Sequence, residues 1–138
     1  MSETVSLDVE IKSPIERVWH ALTDPATLSK WMLFKTNDFR PVVGHKFQLR
    51  DAPGWDGYVE CEVLEVDPPR RLSYTWVSPA GERTQYTTVT WTLAPTESGG
   101  TRLHLEQSGF RSDARQEIGG ARYGWTHMLE QLQAVLAA

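Results

Sequence analysis

Cysteine is almost missing from this sequence: its 138 residues hold one, Cys61. A single thiol excludes an internal disulfide framework and fits a reducing compartment. Long apolar runs are missing as well, and none approaches the ~20 residues needed to cross a bilayer. The opening Met-Ser-Glu-Thr has neither the basic nor the apolar region of a secretion signal, so the expected location is the cytoplasm. Nor is there an excess of positive charge. Fourteen Lys and Arg stand against eighteen Asp and Glu, a net charge of −4 without a basic cluster. That balance argues against a nucleic-acid or anionic-membrane partner. His20, His45, His104 and His127 are scattered, with no paired spacing and no partner cysteine, so no metal is expected. There is no serine in a nucleophile elbow, no phosphate-cradling Gly loop and no dinucleotide fingerprint. The motifs thus nominate no catalytic residue and no cofactor.

Tryptophan, by contrast, is plentiful, with six in the chain. Rings of that size serve either a bulky core or an aromatic-lined pocket. A chain of this length reads as one domain over residues 1–138, able to bury roughly 70% of its unfolded surface.

Residues 3–12 alternate, with Val5, Leu7, Val9 and Ile11 on one side and Ser6, Asp8, Glu10 and Lys12 on the other, as in a strand with one wet face. Ser13 then reads as a helix N-cap, Pro14 as the first helical position and Glu16 as the closing member of a capping box. Asp24-Pro25 repeats the cap-then-proline start for a second short helix ending near Lys30. From residue 35 onward the pattern is strand and turn, with strands expected at 35–39, 45–50, 57–66, 71–77, 84–93 and 101–108. Short connections centred on Pro and Gly imply antiparallel neighbours.

The last stretch, Ser112 to Ala138, reads as one long amphipathic helix. Ala114, Ile118, Ala121, Trp125, Met128, Leu129, Leu132, Val135 and Leu136 fall on one stripe centred near Trp125. Asp113 is positioned to cap it, with Gln116 reaching back. Gly119, Gly120 and Gly124 weaken its first half, at ~1 kcal/mol each relative to Ala. A sheet covered by that single helix must curl around it. The fold class expected is α+β, a curved antiparallel sheet of six or seven strands around a long C-terminal helix, with two short helices after the first strand.

Alternation assigns the inward faces. Leu72, Tyr74 and Trp76 share one, as do Val89, Trp91 and Leu93, and Leu103, Leu105 and Gln107. Gln107 is the odd member, a polar amide on an apolar row that needs hydrogen-bond partners. Arg122 lies about 60° from the centre of the helix stripe, close enough to lean inward. Trp55, on a Pro/Gly-flanked loop tip at 51–57, could cover a cavity mouth or form a contact patch.

These stretches match a known family. SPIERVWHALTDPATLSKWM (13–32), VLEVDPPRRLSYTW (63–76), TTVTWTL (87–93), GTRLHLEQSGF (100–110) and GWTHMLEQL (124–132) resemble the START-like SRPBCC superfamily. Within it the chain is most similar to single-domain bacterial relatives of the activator of heat shock protein 90 ATPase. The resemblance implies the helix-grip fold and a deep cavity between sheet and C-terminal helix, which many relatives use for lipids, sterols, polyketides or hormones. It also implies a His at the position of Gln107 in many relatives, and an amide cannot titrate in its place.

The expectation that follows is a non-catalytic binding protein for a small, largely apolar molecule. Its cavity would be lined by Tyr74, Trp76, Trp91, Leu105, Gln107, Arg122, Trp125, Met128 and Leu129, with Gln107 and Arg122 orienting one polar end. Two alternatives stand beside it. One is a polyketide aromatase or cyclase-like enzyme, with Tyr74 or Arg122 polarising a carbonyl. The other is a protein-interaction module, a chaperone cofactor or a homodimer, presenting an apolar patch around Trp31, Phe34 and Trp55.

Overall fold

A computed structural model describes residues 2–138. Strand β1 (Ser2–Ile11) leads into helices α1 (Ile15–Thr23) and α2 (Pro25–Trp31). Strands β2 (Thr36–Asn37), β3 (Lys46–Arg50), β4 (Val59–Asp67), β5 (Arg71–Ser78), β6 (Gln85–Pro95) and β7 (Thr101–Arg111) follow, and the chain ends in α3 (Arg115–Ala137). All seven strands form one antiparallel sheet in the order β1-β7-β6-β5-β4-β3-β2. The architecture is the expected α+β grip.

Two irregularities bend the sheet. Between β4 and β5 the register slips past Leu64, so that Val63 faces Tyr74 while Glu65 faces Ser73. Between β1 and β7 it slips past Gly109, so that Glu3 faces Phe110 and Thr4 faces Ser108. An extra residue on one strand of a pair kinks and twists that strand. Gly109 has φ +100°, and a Cβ there would come within 2.9 Å of the Tyr86 carbonyl oxygen. Only glycine fits, and β7 continues through it to Arg111 instead of stopping at Ser108.

The core lies between the concave face and α3. Trp125, Met128, Leu129, Leu132 and Leu136 are buried from the helix, against Leu72, Val89, Trp91, Leu103 and Leu105 of the sheet. Tyr123, His127, Glu130 and Ala134 face water, as the stripe requires. Helices α1 and α2 close one end with Val18, Leu22, Leu28 and Trp31, and the Trp31 indole donates to the Ala21 carbonyl at 2.8 Å. The Arg17 guanidinium donates to the Leu136 carbonyl at 3.3 Å, placing a cation on the negative end of α3.

Three helix starts test the expected caps. Asp24 caps α2, its Oδ2 accepting from the Thr27 backbone N–H at 3.0 Å and the Thr27 hydroxyl at 2.7 Å, with Pro25 next. At α1 the cap position is Pro14, not Ser13, and no side chain caps the helix. The Ser13 backbone carbonyl is instead tied to β7, accepting from the Thr101 hydroxyl at 2.9 Å. At α3 the cap position is Ala114, again without a side-chain bond. Asp113 lies 3.5 Å from the Arg111 guanidinium, and Gln116 accepts from Arg83 at 3.2 Å instead of reaching back. Strand β2 is also shorter than expected, because the Asn37 side chain accepts the Phe39 N–H at 3.2 Å and turns the chain.

Candidate functional site

Along most of its length the space between sheet and α3 is filled. At the end formed by the last residues of β5, the first of β6, the far end of β7 and the first half of α3, it is open. A cavity of about 320 Å³ remains there. Phe34, Trp76, Phe110, Trp125 and Met128 give it an apolar wall, while Ser78, Gln85, Thr87 and Gln107 give it a polar one. Arg83 and Glu117 also line it, bridged at 2.6 Å, and they join the β5–β6 turn to the first turn of α3.

The helix makes this room by what it lacks. Met128 and Arg122 flank Trp125 on opposite sides, each about 60° away. Glu117, Gly120, Ala121 and Gly124 lie on the Met128 flank, and all four line the cavity. A Cβ placed on Gly120 or Gly124 would meet no atom within 4 Å.

Of the nine residues expected at the site, Trp76, Gln107, Trp125 and Met128 line the cavity. Tyr74, Trp91, Leu105 and Leu129 lie in the solid core, where Trp91 packs edge-on against Trp125 with ring centres 5.5 Å apart. Arg122 must be corrected. It is exposed, because its flank of α3 is the one opposite the cavity, where water solvates the guanidinium at no cost.

Tyr74, the other residue expected to polarise a carbonyl in the enzyme alternative, is also placed away from the cavity. Its hydroxyl accepts the Trp91 indole N–H at 2.9 Å, and burial pushes the phenol well above its ordinary range. It stays neutral and does not reach the cavity. Burial also pushes the Cys61 thiol up, reinforced by the charges of Asp38 and Glu60, so no thiolate forms near neutral pH. Among the described residues, no group of three or more His, Cys, Asp or Glu is placed to hold a metal ion, and no helix is long and apolar enough to cross a membrane.

The expected surface patch is not formed as a patch. Trp31 is 1% exposed and Phe34 is buried. Trp55, 41% exposed, packs against the outer side of Phe34 with ring centres 6.0 Å apart, and its indole lies over Gly57.

Sequence reasoning missed Gln85, Thr87, Arg83, Glu117 and Phe110. The first two were within reach, since they continue the inward parity of Val89 and Trp91 along β6. Thr87 completes a relay: the Trp125 indole donates to Gln107 Oε1 at 2.7 Å, Gln107 Nε2 to Thr87 Oγ1 at 2.9 Å, and Thr87 to the Trp76 carbonyl at 2.7 Å.

A curved antiparallel sheet closed on one long helix, with a cleft between them, is a helix-grip protein. The family described as activator of Hsp90 ATPase homolog 1-like protein matches residues 12–137, and the chain belongs to it. The crystal structure of MLL2253 from Mesorhizobium loti is similar at 42% identity and TM-score 0.91, covering 98% of this chain and 97% of that one. That of CV1439 from Chromobacterium violaceum is similar at 26% identity and TM-score 0.80, covering 98% and 97%. DynU16, from the dynemicin biosynthetic locus, shares the fold at 23% identity and TM-score 0.83; the match covers 98% of this chain and 47% of DynU16. No curated protein matches the chain.

Proposed function

We propose that this protein binds a small, largely apolar molecule in the cavity between α3 and the ends of β5, β6 and β7. The observation that carries the reading is a cavity of about 320 Å³ with an aromatic wall and a few convergent polar groups. That combination is what small-molecule sites require: apolar area for affinity and a few polar groups for orientation. At a liquid share of about 30 Å³ per water, the space suits a compact molecule of one or two rings.

An enzymatic reading needs a group that can exchange a proton with the bound molecule at the buried end. Tyr74 and Arg122, its expected carriers, both stand outside the cavity. The titratable side chains that line it, Arg83 and Glu117, are engaged with each other. Binding without chemistry is therefore favoured. Native mass spectrometry of gently purified protein tests it, with a discrete, dissociable added mass as the expected result. Bare protein, combined with no quenching of tryptophan fluorescence by any of a panel of one- and two-ring apolar compounds, would end the reading.

A further inference from the structure

Two glutamines on the polar wall already have their acceptor oxygens engaged. Gln107 Oε1 accepts from the Trp125 indole at 2.7 Å, and an indole nitrogen only donates, which fixes the orientation of the amide. Its Nε2 therefore faces Thr87 Oγ1 at 2.9 Å. Thr87 has given its own hydrogen to the Trp76 carbonyl, so it accepts here. Gln85 repeats the arrangement. Its Oε1 accepts the Arg111 backbone N–H at 3.0 Å, and its Nε2 donates to the Arg83 carbonyl at 3.3 Å. An amide nitrogen carries two hydrogens, and each glutamine has used one. Each keeps a second N–H with no protein partner among the described residues. Both side chains are buried, at 3% and 7% exposure, and both line the cavity.

These spare donors give the polar wall a sign. A hydrocarbon that displaces water from them leaves buried N–H groups unpaired, which is costly. A ligand presenting an amine or ammonium there sets donor against donor. A carboxylate would bring a charge to a site whose lining cation, Arg83, is already bridged to Glu117 at 2.6 Å. A neutral acceptor is what remains.

We propose that the ligand is a neutral, largely apolar carbonyl compound, a ketone, ester or quinone, whose oxygen accepts from the free amide N–H of Gln107, with Gln85 as a second donor. This rests on the ligand-binding reading above and specifies its chemical class. The test compares two probes of one shape: 2-acetylnaphthalene, with a carbonyl, and 2-isopropenylnaphthalene, with a methylene in its place. Affinities are read from quenching of tryptophan fluorescence, since Trp76 and Trp125 form the cavity wall. The ketone should bind about tenfold more tightly, the worth of one buried hydrogen bond. In Gln107→Met that ratio should fall towards one, the ketone losing its hydrogen bond and the alkene no longer stranding a buried donor, and in Gln85→Met it should fall part of the way.

Gln107→Met also strands the Trp125 indole N–H, so melting curves accompany each variant. If it does not fold, the wild-type ratio and Gln85→Met carry the test. Equal binding of ketone and alkene by the wild-type protein would overturn the carbonyl proposal and leave ligand binding standing. A preference that survives in the folded variants would overturn the role of the glutamines. Binding of neither probe would overturn the carbonyl proposal, and together with bare protein in native mass spectrometry and no quenching across the wider panel it would overturn the ligand-binding reading as well.

Discussion

Gln107 is the residue at which packing and recognition meet. Its carbonyl oxygen holds the Trp125 indole in place, and its nitrogen is held by Thr87, so the amide has one orientation. Removing the indole nitrogen tests how much this matters to the fold. Trp125→Phe keeps an aromatic ring between Trp76 and Trp91 but leaves Gln107 Oε1 buried without its donor. The unpaired acceptor should cost about 1–3 kcal/mol, beyond the lost ring volume. Urea unfolding of Trp125→Phe, alone and combined with Gln107→Met, measures it. The double variant should regain part of the loss, because its apolar partner has no unmet acceptor. Strictly additive losses would mean that the bond contributes nothing of its own.

The helix termini show which local signals survive in the folded chain. Asp24 caps α2 through Thr27, and those hydrogen bonds hold its carboxyl below the ordinary value of 3.8. A carboxylate with a lowered folded pKa stabilises the fold fully above its unfolded value and loses that contribution as pH falls through the folded one. Asp24→Ala should therefore melt below wild type at neutral pH, and the gap should close in acid below pH 3.8. A gap unchanged down to acid unfolding would show that the cap acts without its charge. In α3, Gly119 is exposed, and a Cβ there meets nothing within 4 Å. Gly119→Ala should raise stability by about 1 kcal/mol in denaturant unfolding, leaving probe binding unchanged. These elements also show what was legible. Asp24-Pro25 could be read because its partners lie within three residues. Ser13 and Gln116 also read as capping residues, yet Thr101 of β7 holds the Ser13 carbonyl and Arg83 holds the Gln116 side chain, and sequence spacing carries no record of such distant partners. Gly109 read as a stop for the same reason, since a bulge is defined by the strand across from it.

At the scale of the whole molecule, the grip was readable from parity and helical stripe, and which part of its inner surface is empty was not. Trp91, Leu105 and Gln107 share the concave face, yet two fill the core and one borders the cavity. The difference arises from the opposing flank of α3, where Gly120 and Gly124 leave space that side chains elsewhere occupy. Period alone says which way a residue points, not what it meets there. Met128→Trp turns this into a measurement. Met128 is buried, lies on the glycine-bearing flank and lines the cavity. An indole there has about 320 Å³ of adjoining space to enter. It should lodge in that space with near-normal thermal stability and abolish quenching by 2-acetylnaphthalene. Were the region closed and packed in solution, the larger ring would have to displace Trp76 or Trp125, at a typical cost of about 1–3 kcal/mol. The wild-type protein would then also bind little probe. The two structures thus predict opposite pairs of results: unchanged melting with lost binding for an open cavity, and lowered melting with no binding to lose for a filled one.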